Sequence, residues 1–203
     1  MAGASKMEQE ILAGLVQRGI PLHIARGMVA NMIAESGLNP SINEIAPTVA
    51  GSRGGYGLNQ WTGPRRRQFE AFAADRGVSP SDLNTQLDFT VWELQNTEKR
   101  AGDRLMSAPD EMAAATIYSN DFLRPGIPNM DKRLAEAARL AGVAPATGGQ
   151  GIAAQYGQPA PQNALAAFKP ADLSQDPRAF MAQRNALVQP LVAQRFQNNL
   201  RSA

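Results

Sequence analysis

The stretch LHIARGMVANMIAESGLNP, residues 22–40, decides how the rest of the chain is read. Ile24, Met28, Val29, Met32 and Ile33 recur at three- and four-residue spacing, which places them on one stripe of a helix. Pro21 stands just ahead, where its fixed φ suits a first turn, and Gly37 with Pro40 beyond it supplies a stop. The pattern predicts a helix over residues 22–36 with Glu35 in its last turn. A carboxyl there faces the negative end of the helix dipole, and apolar neighbours withhold water from it. Both effects favour the protonated form, which is what a general acid needs. The competing reading is an exposed helix-end glutamate, the ordinary setting for this residue type.

On the N-terminal side, Ile11, Leu12, Leu15 and Val16 predict a helix from Met7 that stops at Gly19. On the other side, residues 38–63 are rich in Asn, Ser, Gly and Pro, with Gly51, Gly54, Gly55 and Gly57 punctuating short extended pieces. A loop and a small β-hairpin are expected there. Pro64 opens the next helix, with Phe69 and Phe72 inward and Gly77 as its stop. Ser79 and Asp82 have capping-box spacing ahead of Leu83, Leu87, Val91 and Leu94. Ser107 or Ala108 before Pro109 marks a helix carrying Met112, Ile117 and Tyr118. A further helix after Pro128 carries Leu134, Ala138 and Ala141.

The expected fold class is mainly α: a helical body over residues 1–143 with a small hairpin or loop lobe. Residues 144–176 are dominated by Ala, Gly, Gln and Pro, with too few large apolar side chains to offset ordering entropy, and read as a linker. Residues 177–203 read as a helical tail carrying Phe180, Leu187, Leu191 and Phe196, kinked at Pro190.

Composition excludes several chemistries. With 203 residues, 43% of them hydrophobic, the chain can bury a full core. It has no cysteine and one histidine, so disulfides, thiolate metal sites, a cysteine nucleophile and a two-histidine zinc site are ruled out. His23 lies within a helical pattern and no GxSxG elbow occurs, which leaves carboxylates for acid–base work. No metal or cofactor is expected. Net charge is +2, and no basic stripe with interleaved aromatics suggests specific nucleic-acid binding. No apolar run reaches membrane-spanning length, and Lys6, Glu8 and Glu10 occupy the region where a signal peptide needs apolar residues. Neither a transmembrane segment nor an export signal is expected.

The segment Ile33-Ala34-Glu35-Ser36-Gly37-Leu38-Asn39-Pro40, followed by Tyr56-Gly57-Leu58-Asn59-Gln60-Trp61-Thr62-Gly63, resembles the lysozyme and lytic transglycosylase superfamily, and most closely the phage tail lysozyme family. Arg65-Arg66, Gln86-Leu87-Asp88-Phe89 before Trp92-Glu93-Leu94, and Phe122-Leu123-Arg124-Pro125 resemble later landmarks, so that the likeness covers roughly residues 8–142. The resemblance implies a lysozyme-like domain acting on bacterial peptidoglycan, with Glu35 protonating the glycosidic oxygen as an oxocarbenium-like transition state forms. Glu44 is a candidate base that positions water, with a solvated loop glutamate as the alternative. Without a second carboxylate, the sugar's own hydroxyl could attack and give an anhydro product, so hydrolase and lytic transglycosylase both stay open.

Tyr56, Asn59, Gln60 and Trp61 would border the cleft, where amides hold N-acetyl groups and aromatic faces lie against sugar rings. Alternation forbids all four from facing it together; Gln60 and Tyr56 are favoured, and Trp61 is equally a core residue. Ser36 is a further substrate-side candidate, though a role at the helix end suits it better. The resemblance places Tyr118, with Asn120 and Arg124, on the far side of the cleft. Asp82 reads as a cap and Asp88 as an arginine's partner. Of Arg65, Arg66 and Arg67, one is expected in an ion pair and two in solvent. His23 would satisfy its own helix start. A virion-associated enzyme acting in the host envelope is the leading expectation, with residues 144–203 touching the wall or other virion proteins. The alternatives are a non-catalytic virion structural or docking protein with this shape, and a chitin-directed hydrolase.

Overall fold

The computed structural model describes residues 4–143 except 48 and 50, so the expected linker and helical tail lie outside the described residues. Within them the chain is mainly helical: α1 (Lys6–Gln17), α2 (Leu22–Ser36), α3 (Gly63–Ala74), α4 (Leu83–Gln95), α5 (Lys99–Met106), α6 (Glu111–Ile117), a π-helical turn (Tyr118–Leu123) and α7 (Met130–Leu140).

Helix α2 runs over the residues its spacing predicts. Gly37 ends it in the left-handed conformation at φ 59°, donating its N–H to the Ile33 carbonyl. Ile24, Met28, Val29 and Met32 are fully buried, and burial of that kind stabilises by roughly 1.5–3 kcal/mol per side chain. The helix packs against α1, α6 and α7. Gly27 allows the approach of α6: a Cβ at this position would lie 2.6 Å from the Ala115 nitrogen.

Several local details differ from the sequence expectation. Helix α1 begins one residue earlier, fixed by a capping box: Ser5 Oγ accepts from the Glu8 N–H, and the Glu8 carboxylate accepts from the Ser5 N–H. Asp82, not Ser79, caps α4, accepting from the Thr85 N–H at 2.7 Å. Helix α5 was not expected at all; it is short and charged outside its Ala101 and Leu105 face. On α7 the buried stripe is Arg133, Ala137 and Leu140, one position before the predicted Leu134, Ala138 and Ala141. Met112, expected inward, is exposed.

Residues 38–62 form the smaller lobe. The expected hairpin reduces to two isolated antiparallel bridges, Asn43 with Tyr56 and Tyr56 with Trp61, and no strand occurs among the described residues. The lobe is fastened from below by an aromatic cluster. Trp61 stacks on Phe69 with centroids 4.6 Å apart, and Phe89 lies edge-on to Trp61 and to Phe72.

Candidate active site

Glu35 sits where α2 ends, its side chain 16% exposed, so the carboxyl is sheltered without being sealed. Arg133 of α7 donates from Nη2 to Oε1 at 2.7 Å. Among the described residues Oε2 makes no hydrogen bond. Arg133 is only 3% exposed and spends its remaining donors on the Asn31 Oδ1, at 2.8 Å, and on the Pro128 carbonyl. Asn31, one turn before Glu35 on α2, donates in turn to the carbonyls of Gly27 and Ala115. A guanidinium out of water is costly unless its donors are satisfied, and here three acceptors, two on α2 and one ahead of α7, share them.

Sequence reasoning missed Arg133. The signal was present: an arginine at the four- and three-residue spacing of Ala137 and Leu140, on the buried stripe of a helix.

The Tyr56–Trp61 segment of the loop lobe is held through its own buried side chains. Trp61 is buried and its Nε1 donates to Glu93 at 2.7 Å. Glu93 has no exposed side-chain surface and also takes two hydrogen bonds from Arg65, whose Nη1 reaches the Phe122 carbonyl. Burial pushes the Glu93 carboxyl up, while Arg65 and the Trp61 indole pull it part of the way back. Tyr118, wholly buried at the start of the π-helical turn, donates to Asn59 Oδ1 at 2.9 Å, and Asn59 donates to Thr90. Burial holds the Tyr118 phenol well above its ordinary value.

Four of the candidate substrate contacts, Ser36, Asn59, Trp61 and Tyr118, are buried, which for Trp61 and Ser36 is the core and helix-end setting that the sequence also left open. Ser36 donates to the Met32 carbonyl, within its own helix. Tyr56 and Gln60 are only partly covered. The Arg66 guanidinium lies 5.1 Å from the centre of the Tyr56 ring. Gln60 has a φ of 49°, a conformation costly for a residue with a side chain, and its Nε2 donates to the Gly57 carbonyl at 2.8 Å. Glu44 is partly covered, and its Oε2 accepts from the Gly55 N–H at 2.9 Å. Gly55 packs closely on the Gln60 side chain, so Glu44 and Gln60 share one neighbour.

Of the remaining expectations, Asp88 does pair with an arginine, Arg18, at 2.8 Å. Two of the three consecutive arginines are in ion pairs, Arg65 with Glu93 and Arg66 with Glu70, and only Arg67 is exposed. His23 Nε2 lies 3.0 Å from the Ala108 carbonyl, tying α2 to the approach to α6 instead of capping its own helix. Asn120 and Arg124 border a 380 Å³ cavity beside Glu98 and Arg104, and a 300 Å³ cavity lies between α1 and α4. Glu35 lines neither. Among the described residues no acidic or histidine cluster could hold a metal ion, and no helix is long and apolar enough to cross a membrane.

The sequence profile of the phage tail lysozyme family matches residues 6–143. Morphogenesis protein 1 of Bacillus phage B103 is 31% identical over 136 residues, covering 64% of this chain and 36% of that protein. The match thus spans little more than a third of that relative's length.

Proposed function

The chain belongs to the phage tail lysozyme family through residues 6–143, and from that premise we propose that it cleaves the glycan strands of bacterial peptidoglycan with Glu35 as the general acid. The observation that carries this reading is the asymmetry of the Glu35 carboxyl: one oxygen held by Arg133, the other unclaimed, on a side chain 16% exposed. A carboxyl fixed on one side and open on the other can deliver a proton to a glycosidic oxygen in a defined direction. Tyr56 and Gln60 are the substrate contacts on the loop lobe. Asn59, Trp61, Tyr118 and Ser36 serve the site by holding that lobe and the end of α2 in place.

Glu44 is the proposed base, its carboxylate oriented by the Gly55 N–H. With Glu44 acting on water the reaction is a hydrolysis; without it, attack by the sugar's own hydroxyl gives an anhydro end. Clearing of purified wall by wild type and Glu35→Gln, followed by mass spectrometry of the released fragments, tests both points. Loss of clearing in the variant supports the acid. Equal clearing refutes it, and the fragment masses report which nucleophile attacks.

A second role is suggested by the phage B103 relative, a morphogenesis protein. We propose that the chain is carried on a virion and that residues 144–203 contact the wall or other virion proteins. If so, a chain cut after Val143 keeps wall clearing and loses association with particles. A purely structural protein would instead assemble normally and leave wall intact with either residue at position 35.

A further inference from the structure

Arg133 belongs to no motif that pointed to the site, yet among the described residues its side chain is the one hydrogen-bonded to the Glu35 carboxyl. Its charge is nearly out of water, and its donors reach the Pro128 carbonyl, Asn31 and Glu35. Asn31 is itself anchored on α2 and α6, so the guanidinium is not free to swing. Arginine has N–H donors and no acceptor. A neutral carboxyl has one oxygen that carries the proton and one that only accepts. The oxygen bound to Arg133 is therefore favoured as the carbonyl oxygen, the stronger acceptor of the two.

We propose that Arg133 is the positioning residue for Glu35, selecting Oε2 as the oxygen that carries the catalytic proton; this rests on Glu35 being the acid. In the reaction the Oε2–H bond breaks and an O–H bond forms on the glycosidic oxygen. The C–O bond to the departing sugar breaks with its electron pair going to that oxygen. The carboxylate left behind gains a full negative charge, and Arg133, already hydrogen-bonded to it, stabilises that charge without reorganising. The residue thus acts at two moments: it aims the proton before transfer and supports the anion after. Lysine keeps the charge but lacks the planar fork that reaches Asn31, Pro128 and Glu35 together.

The test compares full-length wild type, Glu35→Gln, Arg133→Gln and Arg133→Lys on soluble uncross-linked glycan strands, with far-UV circular dichroism and thermal unfolding of each. Arg133→Gln should lose about 10²–10³-fold in kcat, the range for removing one preorganised donor. KM should stay within about two-fold, the pattern of an interaction used in the transition state. Arg133→Lys should fall between Arg133→Gln and wild type. Folded Arg133→Gln with wild-type kcat overturns the proposal, as does a rise in KM alone. Should Arg133→Gln not fold, Arg133→Lys decides: reduced kcat at constant KM upholds the role and unchanged kcat ends it. Full activity in Glu35→Gln would remove the acid assignment itself, a separate failure read from a separate variant.

Discussion

Two arginine–carboxylate pairs lie within the same helical body and differ in one respect. Glu93 has no exposed surface, and both its oxygens are taken, by Arg65 and by the Trp61 indole. Glu35 keeps 16% of its side chain exposed and offers one oxygen to Arg133 while the other is unclaimed. Equal chemistry in unequal surroundings separates a fastening from a reactive group. A saturated buried pair holds the backbone that carries it, whereas a half-satisfied one retains a position at which something else can bind. The contrast predicts that the two carboxylates fail in different currencies, Glu35 in turnover and Glu93 in stability.

The largest effect is expected at Glu35. Its change to Gln keeps an acceptor for Arg133 but removes the transferable proton, so wall clearing should fall about 10²–10⁴-fold. The unfolding midpoint should move by no more than a few degrees. A large fall in Tm would mean that Glu35 is a fastening like Glu93, and the contrast would collapse.

Glu93→Ala comes next. It leaves Arg65 and the Trp61 N–H without their partner, and breaking a buried pair in this way costs about 3–5 kcal/mol. Thermal unfolding should show a loss of about 10 °C or more. Activity per folded molecule at low temperature should change far less than in Glu35→Gln. Unchanged stability would contradict the fastening role.

The sequence revealed Glu35 but not the pairing that distinguishes it, and the reason is physical. Helix α2 was legible because Pro21 and Gly37 mark its ends by backbone preferences and its apolar stripe has the helical period. Asp82 was legible as the cap of α4, whereas the capping box drawn from Ser79 was not realised, because the spacing fits two good caps and only the backbone decides between them. Helix α5 escaped because it is only 8 residues long, too short for its stripe to repeat. On α7 the apolar pattern pointed to Leu134 because a stripe read for hydrophobicity skips an arginine. Yet Arg133 is buried and hydrogen-bonded to Glu35, at a separation of 98 residues that no local pattern records. The sequence left Trp61 open between sugar contact and core for a related reason: aromatics near such a motif suit both, and only the fold shows that Trp61 and Tyr118 are buried.

Tyr118 sharpens the comparison because it is wholly buried yet ends in a polar group, which reaches the loop lobe through Asn59. Removing only its hydroxyl, in Tyr118→Phe, strips a donor from Asn59 and should cost about 1 kcal/mol by chemical denaturation. Turnover should stay within about two-fold of wild type. A collapse of kcat with stability intact would return the hydroxyl to the reaction and show that the loop lobe opens when substrate binds.

The smallest effect belongs to a third pair, Glu98 with Arg124, which extends the series toward solvent. The hydrogen bonds from Arg124 hold the Glu98 carboxyl below its ordinary value, against a smaller opposing effect of burial. A carboxyl lowered in the folded state binds its proton more weakly there than in the unfolded chain. Its stabilisation is therefore complete above the ordinary carboxylate range and is lost as pH falls through the folded value. Glu93, pushed upward by burial, has the opposite slope: its contribution is fullest below the ordinary carboxylate range and declines as pH rises through the folded value. Because the Arg124 side chain is half exposed, the Glu98 term should stay below about 1 kcal/mol. Urea midpoints of wild type and Glu98→Gln at pH 7 and pH 3 measure it. The gap should be present at pH 7 and close on acidification; a gap that widens toward pH 3 would mean that Arg124 does not govern this carboxyl and that exposure does not order the three pairs.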